Sequence, residues 1–510
     1  MIAIIDFGSQ LCHLISKRVR QLGVYTEIVP HDISLEKLTA FDPEAVILSG
    51  GPSSIFQPSS PKPEPAILDM DLPVLGICYG HQLLANHLGG EVVPGSNDRH
   101  YGIMEINIKE TVGIFEGLDP TETVVLSHGD LVKSLPNGFE VLARSEMGVL
   151  AFQSVNDQRF GIQFHPEVYH TKNGTRILDN FLKLAEVEKD WLPRQVFERS
   201  LNELAAVKEP VLMAVSGGVD STVAAAIVSR TVPHLLHCVM VDNGLLRKGE
   251  GEEITAIFTK YFPKIDFRLI DARELFLSRL KGVIDPEEKR KIIGATFIEV
   301  FERVTDDLEA SVGKFKYLCQ GTIYPDRIES SAPSKNASVI KTHHNVGGLP
   351  EKMRLKVIEP LKELYKNEVR EIGTEMGLPA NLLNRHPFPG PGLAVRCLGE
   401  VTAERLAVLR QCDAILSDYL KREDRYGQFW QAFAVLTGIH TTGVQGDDRT
   451  YQECVALRLV ESVDAMTADV PDIPVNLLKK IATQIVNRVE NVNRVVFDLT
   501  TKPPATIEWE

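Results

Sequence analysis

Along the first 185 or so residues, apolar positions fall in short unbroken runs set between stretches of helical periodicity. IAIIDF, AVILSGG and PVLGICYG are rich in Val, Ile and Leu, and each runs into a glycine-containing loop. Strands buried on both faces of an α/β sheet read this way, because neither face alternates with water. Residues 52–65, PSSIFQPSSPKPEP, form a Pro/Ser surface loop. The charged stretch AEVEKDWLPRQVFE (185–198) closes the region and is either a helix or a linker.

The pattern then restarts. VLMAVSGGVDS predicts a strand over 211–215, a Gly-rich turn and a helix from about Asp220. LLHCVMVDNG, IDFRLIDA and KYLCQGTI predict three further strands, and Lys289 to about Ser311 a long helix. RHPFPGPGLAVR (385–396) forces a rigid turn and marks a boundary. Beyond it, the strand patterns QAFAVLTGI, CVALRLVES and NRVVFDLT mix with helical patterns around 402–422 and 474–489. The expected fold class is α/β: two doubly wound α/β domains, 1–187 and 188–384, followed by a small α+β domain, 385–510.

A length of 510 residues, at about 100–200 residues per domain, agrees with three domains. Apolar residues at 44% and charged residues at 24% exclude a disordered or fibrous chain. Lys+Arg 55 against Asp+Glu 69 leaves a net charge of −14, so the broad basic surface of a duplex-binding protein is missing and no nucleic-acid partner is expected. No run of 18 apolar residues predicts a membrane span. MIAIIDFGSQ has no basic leader and carries Asp6 inside its apolar run, so it reads as a buried strand rather than a signal peptide. The seven cysteines are odd in number and show no C-x-x-C spacing, against a disulfide framework or structural zinc. A reducing cytoplasm is the expected location.

Cys78 in GICYGHQ (76–82) lies between an apolar strand and the helical stretch HQLLANHLGG. A thiol on such a turn is exposed at the sheet edge, and the helix N-terminus favours its thiolate. Read alone, the segment is equally a cysteine packed between glycines. FGIQFHPE (160–167) carries His165 and Glu167, which share a side if the chain is extended. His165 could take the thiol proton while Glu167 holds the ring; alone, H-P-E is an ordinary turn. The glycines of LSGGP (48–52) can turn an amide toward a bound carbonyl, with the amide after the nucleophile as second donor.

LSGGP, GICYGHQ and FHPE, in this order, resemble the class I glutamine amidotransferase domain over residues 1 to about 185. The resemblance implies hydrolysis of the glutamine side-chain amide through a thioester on Cys78. Gly51 and Tyr79 would supply the oxyanion donors, and Gln82 would contact glutamine. SHGD (127–130) matches a further substrate stretch.

VSGGVDS (215–221) offers backbone amides, two serine hydroxyls and a helix N-terminus to an anion, without the lysine of a Walker loop. Alone it is also a tight turn. With its full pattern it resembles the N-type ATP pyrophosphatase loop. That implies an ATP site at Ser216, Gly217, Gly218, Val219, Asp220, Ser221 and Thr222, with Val241 of VDNG near the adenosine. Asp220 would help to hold Mg²⁺, the expected cofactor.

DFGSQ, VDNGLLR, QGTIYPDRIES, KTHHNVGGLP, RHPFPGPGLA, QAFAV and KPPATIEWE extend the resemblance to the glutamine-hydrolysing GMP synthetase family over residues 6 to 510. The implied partners are glutamine, ATP and XMP, with a homodimer formed through the third domain. Arg247, Gln431, Arg494, Lys502, Ile507 and Glu508 match family XMP contacts. An apolar Ile-x-Trp in TIEWE also argues that the segment docks rather than frays. Residues 320–354 lack periodicity and read as a long functional loop. There Asp326, Glu329, Lys341, His343 and His344 match the family's lid, and Lys366 matches a lysine at the ATP site. The adjacent histidines do not read as metal ligands, since neighbours rarely converge on one ion. Ala505 and Ala295 depart from the family's usual residues, and Ala505 would be strained if its φ had to be positive.

Two competing readings stand beside this one. Another glutamine-dependent enzyme could carry the same loop, and would lack RHPFPGPG and KPPATIEWE. A nucleotide-binding regulator could share the fold, but would have no need of Cys78, His165 and Glu167.

Overall fold

The computed structural model of the chain describes residues 1–95, 100–146, 148–154, 156, 158–331, 355–462 and 467–510, with the backbone alone at 100, 101, 127, 128, 329–331 and 445. It divides into two compact units, Met1–Leu192 and Pro193–Glu510.

The first unit is built on a seven-stranded sheet. Its order is Thr26–Pro30, Ile2–Asp6, Ala45–Leu48, Val74–Ile77, Arg159–Ile162, Gly148–Ser154, Glu140–Ser145. The first five pair in parallel, and the last two join by antiparallel pairing. Ile2, Ala3, Ile4, Ile47, Leu75 and Ile77 are wholly buried, as unbroken apolar runs require. Parallel pairing puts strand ends on one edge. Leu48 lies opposite Gly76 and Gly76 opposite Gly161, so the loops after Leu48, Ile77 and Ile162 leave the sheet side by side. Ligands bind at that edge in open α/β sheets. Two antiparallel pairings accompany the sheet, His100–Asn107 with Thr121–His128 and Glu91–Pro94 with Asp130–Ser134.

The second unit holds a five-stranded parallel sheet ordered Asp266–Asp271, Leu236–Asp242, Val211–Ala214, Tyr317–Cys319, Lys356–Ile358. A three-stranded sheet follows. Gln431–Gln445 runs antiparallel to Asp448–Val460, which pairs in parallel with Val492–Phe497. One apolar cluster runs from Leu212, Phe276 and Leu308 through Leu393 and Leu416 to Leu457 and Ile485, so both sheets stand on a common core. The stretch 185–198 resolves into connecting chain followed by the helix Pro193–Ala205. The long helix runs Pro286–Val312, started by Pro286 and by the Asp285 carboxylate, which accepts from the Glu288 amide at 2.8 Å. The helical patterns around 402–422 and 474–489 form the helices Ala403–Arg422 and Val475–Arg488. Among the described residues no helix is long and apolar enough to cross a membrane. All seven cysteines are buried, and none forms a disulfide.

Candidate active sites

Cys78 caps the helix Tyr79–His87 directly after the strand Val74–Ile77, with φ of 53° and ψ of −105°. A non-glycine residue held there is strained, and such strain concentrates at functional sites. Neighbouring glycines make the turn possible. A Cβ on Gly76 would lie 2.5 Å from the Gly80 carbonyl oxygen, and one on Gly80 would lie 2.4 Å from that of Leu48. The Cys78 amide donates to Ile162 O at 2.9 Å and the Gly80 amide to Ser49 O at 3.1 Å. Between them, Tyr79 is the first helical residue, whose N–H has no intrahelical acceptor.

The three motifs meet at this turn. A Cβ on Gly50 would sit 3.0 Å from His165 Cε1 and 3.6 Å from Cys78 Cβ, so the glycine loop lies directly on both side chains. Gly51 packs on Phe7, where a Cβ would meet the carbonyl oxygen at 2.8 Å. The His165 ring hydrogen-bonds the Cys78 side chain. Its Nδ1 stands 2.7 Å from Glu167 Oε1, both side chains being buried. Burial disfavours a charged ring, but the Glu167 carboxylate and Cys78 outweigh it and raise the His165 pKa well above the ordinary imidazole value. Such a ring is ready to accept the thiol proton. Backbone bonds fix it further: the His165 amide donates to Val125 O at 3.0 Å, and the Thr171 hydroxyl to His165 O at 2.6 Å. Gln82 is buried nearby, its Nε2 donating to Asp130 O at 2.9 Å and to Gln163 Oε1 at 3.2 Å. Gln82 thus meets the Asp130 end of SHGD, while the side chains of Ser127 and His128 lie outside the described set.

In the second unit, the strand Val211–Ala214 passes into the 215–218 turn, where Gly217 has φ of +76°, and then into the helix Val219–Thr231. Hydroxyls knit the turn: the Gly218 amide donates to Ser216 Oγ at 3.3 Å, and the Ser221 and Thr222 hydroxyls to Gly218 O at 3.2 and 2.8 Å. Lys366, first in the helix Lys366–Glu375, places Nζ 3.2 Å from Asp220 Oδ2. Asp220 Oδ1 is buried with no hydrogen-bond partner among the described residues. The open Asp220 oxygen fits a Mg²⁺ ligand, since that ion takes one or two carboxylates besides phosphate and water. Val241 is buried near the end of the adjacent strand Leu236–Asp242. Asp326, on the helix Tyr324–Ser331, accepts from the Ile323 amide at 3.0 Å. Lys341, His343 and His344 fall outside the described residues, as does the Glu329 side chain.

The C-terminal segment is docked. Ile507 packs on Phe433, Val435 and Ala456, and the Trp509 indole N–H donates to Asp498 Oδ2 at 3.0 Å. Glu508 receives the fully buried Arg396 in a two-point bond, Nε to Oε2 at 3.0 Å and Nη2 to Oε1 at 2.8 Å. Gln431 Nε2 reaches Glu508 Oε1 at 3.2 Å and Pro387 O at 2.7 Å, and Arg247 Nη2 reaches the same carbonyl at 3.4 Å. The Lys502 backbone pairs with Ala468 through two bonds, at 2.8 and 3.0 Å. Arg494 is exposed on the strand Val492–Phe497. Ala505 is not among the described residues with positive φ, so its methyl meets no backbone strain; Ala295 lies inside the helix Pro286–Val312.

Four residues at these sites escaped the sequence reading. Gln163 contacts Gln82. Arg385 donates to Gly217 O at 3.2 Å. Arg396 holds Glu508. Lys289, whose side chain is fully buried, binds Cys397 O at 3.0 Å and Glu510 Oε2 at 2.5 Å. A lone Arg or Lys carries no local signal. The available clues were RHPFPGPGLAVR, whose first and last residues are two of the four, and FGIQFHPE, which contains Gln163.

Comparison with known proteins agrees with this geometry. Residues 3–185 match the family "Glutamine amidotransferase class-I", and residues 418–509 match "GMP synthase C terminal domain". The chain is similar along its whole length to proteins named "GMP synthase [glutamine-hydrolyzing]". It is 48% identical over 515 residues to that of Nitratidesulfovibrio vulgaris and 49% over 518 residues to that of Solidesulfovibrio magneticus. Identity to that of Carboxydothermus hydrogenoformans is 48% over 513 residues. Each comparison covers 100% of this chain and 99% of the relative.

Proposed function

The chain belongs to the glutamine-hydrolysing GMP synthase family, and on that premise we propose how its two units divide the chemistry. The enzyme is a ligase that makes GMP from XMP with nitrogen from glutamine. In the first unit His165 takes the thiol proton of Cys78, and the thiolate so formed attacks the glutamine side-chain carbon beside the charged ring. Glu167 holds the ring and stabilises its charge, and His165 returns the proton to the departing ammonia. The Gly51 and Tyr79 amides receive the developing oxyanion. Water then releases glutamate from the thioester.

In the second unit, the 2-oxygen of XMP attacks the α-phosphorus of ATP, and pyrophosphate departs into the loop of Ser216, Gly217, Gly218, Val219, Asp220, Ser221 and Thr222. Val241 borders the adenosine, and Lys366 neutralises phosphate charge. Mg²⁺, when bound through Asp220, supplies charge neutralisation on the phosphates. Ammonia attacks C2 of the adenylated XMP and AMP leaves. We assign Asp326, Glu329, Lys341, His343 and His344 to this adenylation step. Arg247, Gln431, Arg494, Lys502, Ile507 and Glu508 hold XMP. We also assign dimerisation to the third domain of a 1–187, 188–384, 385–510 division. Its hairpin exposes Ile439, Val444 and Tyr451, apolar side chains that a second copy would cover. The seven buried cysteines, none in a disulfide, support a reducing compartment.

The observation that carries the reading is the meeting of Gly50, Cys78, His165 and Glu167 at one sheet edge. The direct assay follows AMP and pyrophosphate release from ATP. Release should require XMP and proceed with either glutamine or ammonium. XMP-independent release, or release of ADP and phosphate, would refute the adenylation chemistry.

A further inference from the structure

We propose that Arg396 is the positioning residue of the XMP site: it fixes the Glu508 carboxylate as an ionised acceptor for the purine. This rests on the reading that the C-terminal segment holds XMP. Arg396 is wholly buried yet permanently charged, which is costly unless a partner compensates. Its partner is Glu508, met through both carboxylate oxygens at 3.0 and 2.8 Å. A fork-to-fork bond fixes orientation as well as charge. The guanidinium also lies 3.9 Å from the Phe433 ring centroid and 5.2 Å from that of Phe388.

The surroundings leave Arg396 no freedom to move. It ends the short 3₁₀ helix Gly392–Arg396, where Gly392 has φ of +62°. A Cβ on Gly392 would strike Leu245 O at 2.5 Å, and the Leu393 amide donates to that oxygen at 2.8 Å, so the helix rests on the loop after VDNG. From beneath, Lys289 donates to Ala394 O at 3.4 Å and Cys397 O at 3.0 Å.

Two of the other residues assigned to XMP, Gln431 and Arg247, gather around this fixed cation. Gln431 bonds the same Glu508 oxygen, Arg247 shares the Pro387 carbonyl with Gln431, and Arg247 stacks on Phe388 at 4.4 Å. Glu508 Oε2 accepts one bond from Arg396, and the side chain keeps 20% of its surface open. A carboxylate oxygen has room for a second bond and, ionised, can only accept. Glu508 therefore presents a fixed acceptor to an N–H of the purine. Arg396 never touches XMP and acts only through Glu508.

A double-mutant cycle tests this, using Arg396→Gln, Glu508→Gln and the pair, with ammonium as nitrogen source to leave Cys78 out of the readout. Each single change should raise the XMP KM roughly tenfold to a hundredfold, the scale of a lost charge-assisted hydrogen bond, with ATP KM unchanged. In the Glu508→Gln background, Arg396→Gln should add nothing further. Arg396→Lys, which keeps the charge and loses the fork, should fall between wild type and Arg396→Gln; it replaces Arg396→Gln in the cycle if that variant does not fold. Additive effects on XMP KM would overturn the proposal, because they show Arg396 acting independently of Glu508. An unchanged XMP KM in Glu508→Gln alone would instead refute the tail as the XMP site, and the proposal with it.

Discussion

Glu167→Gln isolates the charge behind the His165 ring. The side chain is fully buried, and Oε1 meets His165 Nδ1 at 2.7 Å, while Oε2 has no hydrogen-bond partner among the described residues. Glutamine fits the space and fails in either orientation. With its oxygen toward Nδ1, the amide NH₂ is buried at the Oε2 position without an acceptor. Turned round, it donates to Nδ1 and forces the wrong tautomer on the ring. A hydrogen bond to a charged group contributes about 1.5–3 kcal/mol, so glutamine hydrolysis should slow roughly tenfold to a hundredfold. The pH profile gives a second, signed readout. Burial alone would depress the His165 pKa, and it is Glu167 with Cys78 that raises it. Without the carboxylate the charged ring is lost at lower pH, so the alkaline limb of glutaminase activity should move down. Ammonium-driven synthesis should not change. Glutamate release at the wild-type rate, or an unmoved alkaline limb, would refute the assignment of Glu167.

Three further outcomes follow from the same geometry. Gly80→Ala places a methyl 2.4 Å from Leu48 O, a backbone atom that cannot step aside, so alkylation of Cys78 by a glutamine analogue should fall sharply while ammonium-driven synthesis continues; wild-type labelling would show the turn to be tolerant. Asp220→Asn keeps the side chain's size and removes the charge beside Lys366 and the free Oδ1, so synthesis should fail with both nitrogen sources while glutaminase chemistry persists, and normal XMP-dependent AMP release would make Asp220 structural. His386 accepts from the Ala432 amide at Nδ1 and faces Tyr426 O through Nε2, and burial pushes its pKa down to about 4. Its folded value lies below the unfolded one, so stability is complete above about 6.5 and should fall as pH drops toward 4, by up to about 1.4 kcal/mol per pH unit; denaturant midpoints measured across that range check it, and His386→Asn should flatten the slope.

Legibility in the sequence followed the range of the physics. The parallel sheets were readable because doubly buried strands such as IAIID and AVIL leave unbroken apolar runs. The Cys78 turn was readable because its strain needs glycines at fixed offsets, here Gly76 and Gly80. The strands Thr121–His128 and Asp130–Ser134 were not: half-buried, with polar residues interspersed, they resemble loop. The long strands Gln431–Gln445 and Asp448–Val460 were seen only over their buried parts, since the far ends, around Val444 and Tyr451, are exposed. The contacts of Arg396 with Glu508 and of Lys289 with Glu510 span 112 and 221 positions in the chain. No local pattern encodes such pairings. They depend on the common core of the second unit, which only the folded chain displays.

The central claim is that nitrogen release and XMP amination use separate groups on one chain. The most direct test is GMP formation by Cys78→Ala, supplied with XMP and ATP and either glutamine or ammonium. Cys78 carries the only thiol of the 76–82 turn, so glutamine-dependent synthesis should vanish, while ammonium-dependent synthesis should proceed at the wild-type rate. Glutamine-dependent synthesis that survives the substitution, or loss of the ammonium-dependent reaction in a folded variant, would contradict the account.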